Sequence, residues 1–158
     1  MRLKNILLVL TTISILVTAG CGIKPEKKAI TEEVFTTAVE EAGLSVNDDT
    51  ETYSETVGIT KSLYGVKDDR SESYEYYLFK TTDDAGVQFD SLRIQIGGAD
   101  AKDKIETNVS GTNYSLYKAE VDGLYYHVCW VENTLFFGSS VKENKNAVEK
   151  FAKTIGYD

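Results

Sequence analysis

The segment LYYHVCWV, residues 124–131, places the chain's one histidine, His127, two positions before Cys129. Residues at i and i+2 of a strand point to the same face, so imidazole and thiol are neighbours there. A histidine beside a cysteine can generate a reactive thiolate. The same spacing works against a dyad. Two steps along a strand put the Cα atoms about 6–7 Å apart, and working partners usually come from separate elements. Zinc takes three or four ligands, so these two residues alone make an incomplete metal site, and neither metal nor cofactor is expected. The alternate positions Leu124, Tyr126, Val128 and Trp130 are apolar. That face is expected to lie under helices, which leaves Tyr125, His127, Cys129 and Val131 on an uncovered face.

The second candidate chemistry is recognition by tyrosine. The chain has ten tyrosines, most of them in segments that read as strands. Adjacent pairs, Tyr76–Tyr77 and Tyr125–Tyr126, must send one ring to each face of a sheet. One face is core; the other presents aromatic area with hydroxyl handles, which suits contact with a protein or a glycan. Tyr76, Tyr117, Tyr125 and His127 are therefore the candidate partner-binding residues. The acidic doublets Asp48–Asp49, Asp68–Asp69 and Asp83–Asp84 lack the pattern of a calcium loop. Asp83–Asp84 suit a helix first turn, and Asp68–Asp69 suit a turn between strands. The chain has no G-x-S-x-G elbow, no H-E-x-x-H, no phosphate-binding glycine loop and no C-x-x-C. No catalytic residues are assigned.

A different cysteine bears on location. Arg2 and Lys4 precede the apolar run ILLVLTTISILV at 6–17, and Thr18, Ala19 and Gly20 lead to Cys21. A positive start, a short apolar stretch and small residues form a secretory signal; a membrane-spanning helix needs about 20 apolar residues. Ala19-Gly20-Cys21 resembles the lipobox of bacterial lipoproteins, with Thr18 where leucine is most usual. That resemblance covers residues 1–22 only. It implies that diacylglycerol is attached to the Cys21 sulfur and that cleavage makes Cys21 the first residue. Two acyl chains hold a protein stably at a bilayer. Lys24, Lys27 and Lys28 would then lie near anionic head groups, each worth about 1 kcal/mol there.

The formal net charge is −8, and losing Arg2 and Lys4 makes the remainder more acidic still. Nucleic acid is bound by basic surfaces, so it is excluded as a partner. With Cys21 acylated, Cys129 stands alone, and a disulfide framework is excluded too. Packing must hold the fold.

The elements that position these residues follow from periodicity. Residues 31–42 read as a helix capped by Thr31, with Phe35, Ala38, Val39 and Ala42 on one face. Residues 56–66 read as a strand with Val57, Ile59 and Leu63 on one face, and 73–80 as its return after the turn KDDR. Thr82 is expected to cap a second helix over 83–96, with Ala85, Phe89, Leu92 and Ile96 as its buried stripe. Strands at 114–121, 124–131 and 134–141 form a meander through Asp122–Gly123, a strong hairpin signal, and Glu132–Asn133. A last helix covers 143–155. Residues 45–55 and 99–112 are polar and read as loops with room for a short strand.

The expected fold is α+β in the order α-ββ-α-βββ-α: an antiparallel sheet of five to six strands with three helices over one face. The expected layout is a signal peptide at 1–20, a lipidated cysteine and polar tether at 21–29, and one domain at 30–158. This plan and the DG…YY hairpin resemble uncharacterised small α+β surface lipoproteins of Gram-positive bacteria, a likeness that implies no function. The functional expectation is a membrane-anchored, extracytoplasmic, non-catalytic binding or accessory domain. Its partner would be an envelope protein or a cell-wall component. The alternative is a thiol-dependent enzyme or redox protein using Cys129 and His127.

Overall fold

The computed structural model describes residues 25–158 apart from 54, 57 and 99–102. The signal segment, Cys21 and Lys24 lie outside the described residues. The elements are α1 (Glu32–Glu41), β1 (Asn47–Asp48), β2 (Ile59–Val66), β3 (Glu72–Phe79), α2 (Thr82–Gly97), β4 (Ile105–Ser110), β5 (Tyr114–Val121), β6 (Leu124–Val131), β7 (Thr134–Val141) and α3 (Lys145–Thr154), the last entered through a 3₁₀ turn at Lys142–Asn144.

Among the described residues all strands join one antiparallel sheet in the order β1-β2-β3-β7-β6-β5-β4. The class is α+β, as expected, but the sheet has seven strands rather than five to six. The two additions come from the polar segments read as loops. β1 is two residues long, and β4 is an edge strand with every side chain but Val109 exposed. β1 is too short to show a period, and in β4 Ile105, Thr107 and Val109 alternate along a sheet edge where Val109 alone packs against the core.

The helices do not share one face, which corrects the two-layer expectation. α1 and α3 pack together on one side, where Phe35, Val39, Val148, Phe151 and Ala152 meet Tyr74, Tyr76, Tyr125, Cys129 and Phe136. α2 lies on the other side, with Ala85 and Phe89 against Tyr77, Tyr117, Val128 and Leu135. The β3-to-β4 connection must carry the chain from the sheet middle to its far edge, and α2 makes that crossing. The hand-over at α2 also shifts by one residue. Thr81, not Thr82, caps it: its Oγ1 accepts the Asp84 backbone N–H at 3.1 Å and donates to Asp84 Oδ2 at 2.7 Å.

β2 holds a second correction. Ile59 pairs with Phe79, yet Lys61 pairs with Leu78. This bulge inverts the parity of the strand. Ile59 therefore joins the α2 side, while Leu63 joins the α1–α3 side. The Asp122–Gly123 hairpin forms as expected, with φ of 49° and 80°, the left-handed pair of a type I′ turn.

Candidate functional site

β6 shows what became of the candidate dyad. Tyr125, His127, Cys129 and Val131 face the side on which α1 and α3 both pack, and all four are buried. The expected parity is therefore reversed: these four face covering helices rather than an uncovered side. His127 donates its Nε2 proton to the Tyr157 carbonyl at 2.8 Å, because a carbonyl only accepts. Its Nδ1 lies 3.5 Å from the Tyr125 hydroxyl, whose one proton goes to Glu149 Oε1 at 3.2 Å. Burial pulls the imidazole pKa down to about 4 despite the Tyr157 bond. Burial pushes the Cys129 thiol up to about 12. A fully buried thiol of that kind is protonated and inert.

Tyr76, Tyr117 and Tyr125 are interior side chains as well, at 1 %, 0 % and 1 % exposure. Together with His127 they offer no contact surface, which corrects their reading as partner-binding residues. Each ring fills core while its hydroxyl reaches the rim. Tyr117 donates to Glu106 Oε1 at 2.5 Å, and Tyr76 donates to the Ile30 carbonyl at 3.3 Å. Tyrosine supplies aromatic burial with a polar tip that stays satisfied.

The uncovered part of the sheet lies on the α2 side. α2 covers Tyr77, Leu135, Val128 and Tyr117 but stops short of the strand ends nearer the β2–β3 turn. Here Tyr64, Glu75, Tyr126 and Phe137 are half-buried, and Val66 and Leu124 are exposed. Tyr126 and Phe137 rings stand 6.1 Å apart. At the β1–β3 end this platform becomes concave. A groove of about 370 Å³ is lined by Asp49, Tyr53, Ser62, Tyr64, Arg70 and Glu75, among others.

The local sequence explains how the groove forms. In β3, Ser73, Glu75 and Tyr77 alternate onto this face while Tyr74 and Tyr76 go to the core opposite. Tyr64 of β2 stands directly across from Glu75. Tyr53, in the turn before β2, closes one wall with its ring 5.6 Å from that of Tyr77 at 85°. Arg70 sits in the β2–β3 turn with φ of 56°. Glu75 accepts from the Tyr77 hydroxyl at 2.5 Å and from Ser73 Oγ at 3.5 Å. Burial raises its carboxyl pKa, the two hydroxyl bonds oppose this, and the Asp49 charge adds to the rise.

None of the groove residues was singled out from sequence as a binding residue. Glu75 was detectable as a lone acid among aromatics in SYEYYLF. Asp49, Tyr53 and Arg70 come from turns, where no periodicity aims a side chain. Among the described residues no cluster of three His, Cys, Asp or Glu side chains could hold a metal, and no helix is long and apolar enough to cross a membrane.

No family model matches the chain, and no curated protein does. Among solved structures, a GTP binding regulator from Thermotoga maritima is similar at 16% identity and a TM-score of 0.47, over 80% of this chain and 85% of that one. A likeness of that size carries no information on function.

Proposed function

We propose that this protein is a lipid-anchored lipoprotein on the extracytoplasmic side of a membrane, and that its domain is a non-catalytic binding or accessory module for an envelope protein or a cell-wall component. The observation that carries the binding role is the uncovered half of the α2-side sheet face. It displays Tyr64, Tyr126, Phe137, Val66 and Leu124 around a concave groove. Half-exposed aromatics grouped on one face are the usual composition of a contact surface.

Chain geometry supports an outward-facing site. Lys27 is held on the domain by Asn113, with its backbone N–H donating at 3.1 Å and its carbonyl accepting at 2.7 Å. Cys21 then precedes that anchor point by six residues, a reach of roughly 20 Å at most. Lys27 enters beside Tyr114, at the β5 start. The β2–β3 turn that borders the groove lies at the other end of the strands. Lys27 also pairs with Asp158 at 3.8 Å, so head-group contact falls to Lys24 and Lys28.

Two measurements test this reading. The intact mass of protein extracted from membranes is expected to show a chain that starts at Cys21 and carries acyl groups. The intact protein in detergent is expected to bind isolated cell-wall sacculi or envelope vesicles, and the double variant Tyr126→Ser, Phe137→Ser to lose most of that binding while remaining folded. An unprocessed, unacylated chain would end the anchor proposal. Undiminished binding by the double variant would end the face assignment.

A further inference from the structure

The groove at the β1–β3 end has a chemical polarity of its own. Its floor is Ser62, 2 % exposed. Tyr53 and Tyr77 meet as two walls of a corner at 85°, and Tyr64 flanks the carboxylate from the neighbouring strand. Other carboxylates of the sheet have their own cations. Glu72 pairs with Lys67, Glu106 with Lys104, and Glu120 with both Lys142 and Lys145. Glu75 lies deeper than an ordinary surface acid, yet among the described residues it pairs with no lysine or arginine. Its partners are two hydroxyls, and a carboxylate has about four acceptor positions.

A half-buried carboxylate with spare lone pairs, walled by tyrosine rings, is matched by a cation. The carboxylate supplies countercharge and charge-assisted hydrogen bonds. The ring faces attract the same charge through their quadrupoles. Asp49 on the groove wall adds negative charge, and its proximity is felt in the raised Glu75 pKa. Among the described residues Arg70 is the one cation on the wall. It is exposed, at the rim, and does not neutralise Glu75. An anionic ligand would face Glu75 and Asp49 uncompensated.

We propose that this groove binds a primary ammonium on an aliphatic stem, of the kind a lysine side chain presents, with Glu75 as countercharge and Tyr53, Tyr64 and Tyr77 as walls. The proposal rests on the reading of the uncovered face as a binding surface and names the ligand chemistry of its concave end. The stem packs against the tyrosine rings, and the ammonium donates to the free acceptor positions of Glu75.

The test is a titration of the intact protein in neutral detergent, followed through its tyrosine ring signals by NMR. The probe is Nα-acetyl-lysine methylamide; the controls are its Nε-acetylated form and N-acetylglucosamine. Saturable shifts of Tyr53, Tyr64 and Tyr77 are expected with the lysine probe below about 50 mM, a modest affinity in line with a single side chain. The Nε-acetylated form is expected to cause none. Glu75→Gln is expected to weaken binding by about tenfold or more, and Arg70→Ala, which removes a like charge from the groove wall, to tighten it. Tyr64→Ser is a second variant, on a half-exposed position, that weakens binding by removing a wall. No saturable shift, equal shifts with the acetylated probe, or loss of binding in Arg70→Ala would each overturn the proposal. Shifts with the sugar alone would overturn it while leaving the binding-surface reading intact. Envelope binding that survives Tyr126→Ser, Phe137→Ser overturns that broader reading instead.

Discussion

At His127 the imidazole gives its Nε2 proton to the Tyr157 carbonyl, and burial holds its pKa near 4 rather than 6.5. The folded value is depressed, so between pH 6.5 and 4 the unfolded chain binds the extra proton and the folded chain does not. Stability from this group is complete above pH 6.5 and falls as the pH drops toward 4. The expected loss is about 2 kcal/mol between pH 7 and pH 5. Urea unfolding of wild type and His127→Gln at both pH values measures it, and the variant is expected to show a pH dependence smaller by that amount. Equal slopes would place the ring in a wetter site. Cys129, with its pKa pushed up to about 12, is expected to resist alkylation at pH 8 in the folded protein and to react fully in denaturant. Prompt labelling of the native protein would revive the thiol chemistry that its distance from solvent now argues against.

Among the elements, close packing at β2 and α3 carries the clearest consequences. Gly65 lies under α1, and a Cβ there would stand 2.5 Å from Val39 Cγ1. Val39 is fully buried and stiff at χ1. Gly65→Ala is therefore expected to cost about 1–3 kcal/mol. Combined with Val39→Ala, the total is expected to fall short of the sum of the two single losses, because the second change vacates the space the first needs. Denaturant midpoints of the four proteins in that cycle check it, and strict additivity would mean the backbone had moved instead. On α3, the Phe151 ring stacks on Tyr74 at 4.1 Å and on Phe136 at 5.6 Å, and meets Phe35 edge-on at 5.9 Å. Phe151→Ala removes the centre of that cluster and is expected to cost about 3–5 kcal/mol. A loss below 1 kcal/mol on the same assay would count against this packing.

For the whole molecule, the segment entering the domain and the C-terminal segment hold each other. Ile30 donates its backbone N–H to the Tyr157 hydroxyl at 2.9 Å, and Lys27 Nζ donates to the Gly156 carbonyl at 3.0 Å. Tyr157 itself is fully buried. Truncation after Ile155 removes a core ring, the acceptor of His127 and the clasp on the entering chain. The expected result is a loss of about 3–5 kcal/mol, together with new proteolysis within residues 25–30. Limited proteolysis with mass detection reads both segments in one experiment. A cleavage pattern unchanged by the truncation would show that Asn113 and Tyr76 are enough to hold the entering segment.

Much of the fold is legible in the residues themselves. Helix 31–42 is marked by a threonine cap and a 3,4 apolar stripe, and the meander from 114 to 141 by Asp122–Gly123 between alternating strands. Local periodicity reports such features because neighbours in the chain create them. The face on which each helix settles is not a local property. LYYHVCWV has two nearly apolar faces, and its parity was assigned wrongly because covered and half-covered faces differ little in composition. Only the crossing of α2 from β3 to the far edge, and the pairing of β3 with β7 more than fifty residues on, decide which face stays open. The bulge at Ile59–Lys61 is equally silent in sequence, since one extra residue changes parity without changing composition. By itself, then, the sequence determined the three helices and the five long strands at 59–66, 72–79, 114–121, 124–131 and 134–141, but not the two short edge strands. The burial of His127, Cys129 and three candidate tyrosines, and the meeting of Glu75 with Tyr53 and Tyr64, were decided by long-range packing. Side-chain environment depends on what folds over it, and that partner lies elsewhere in the chain.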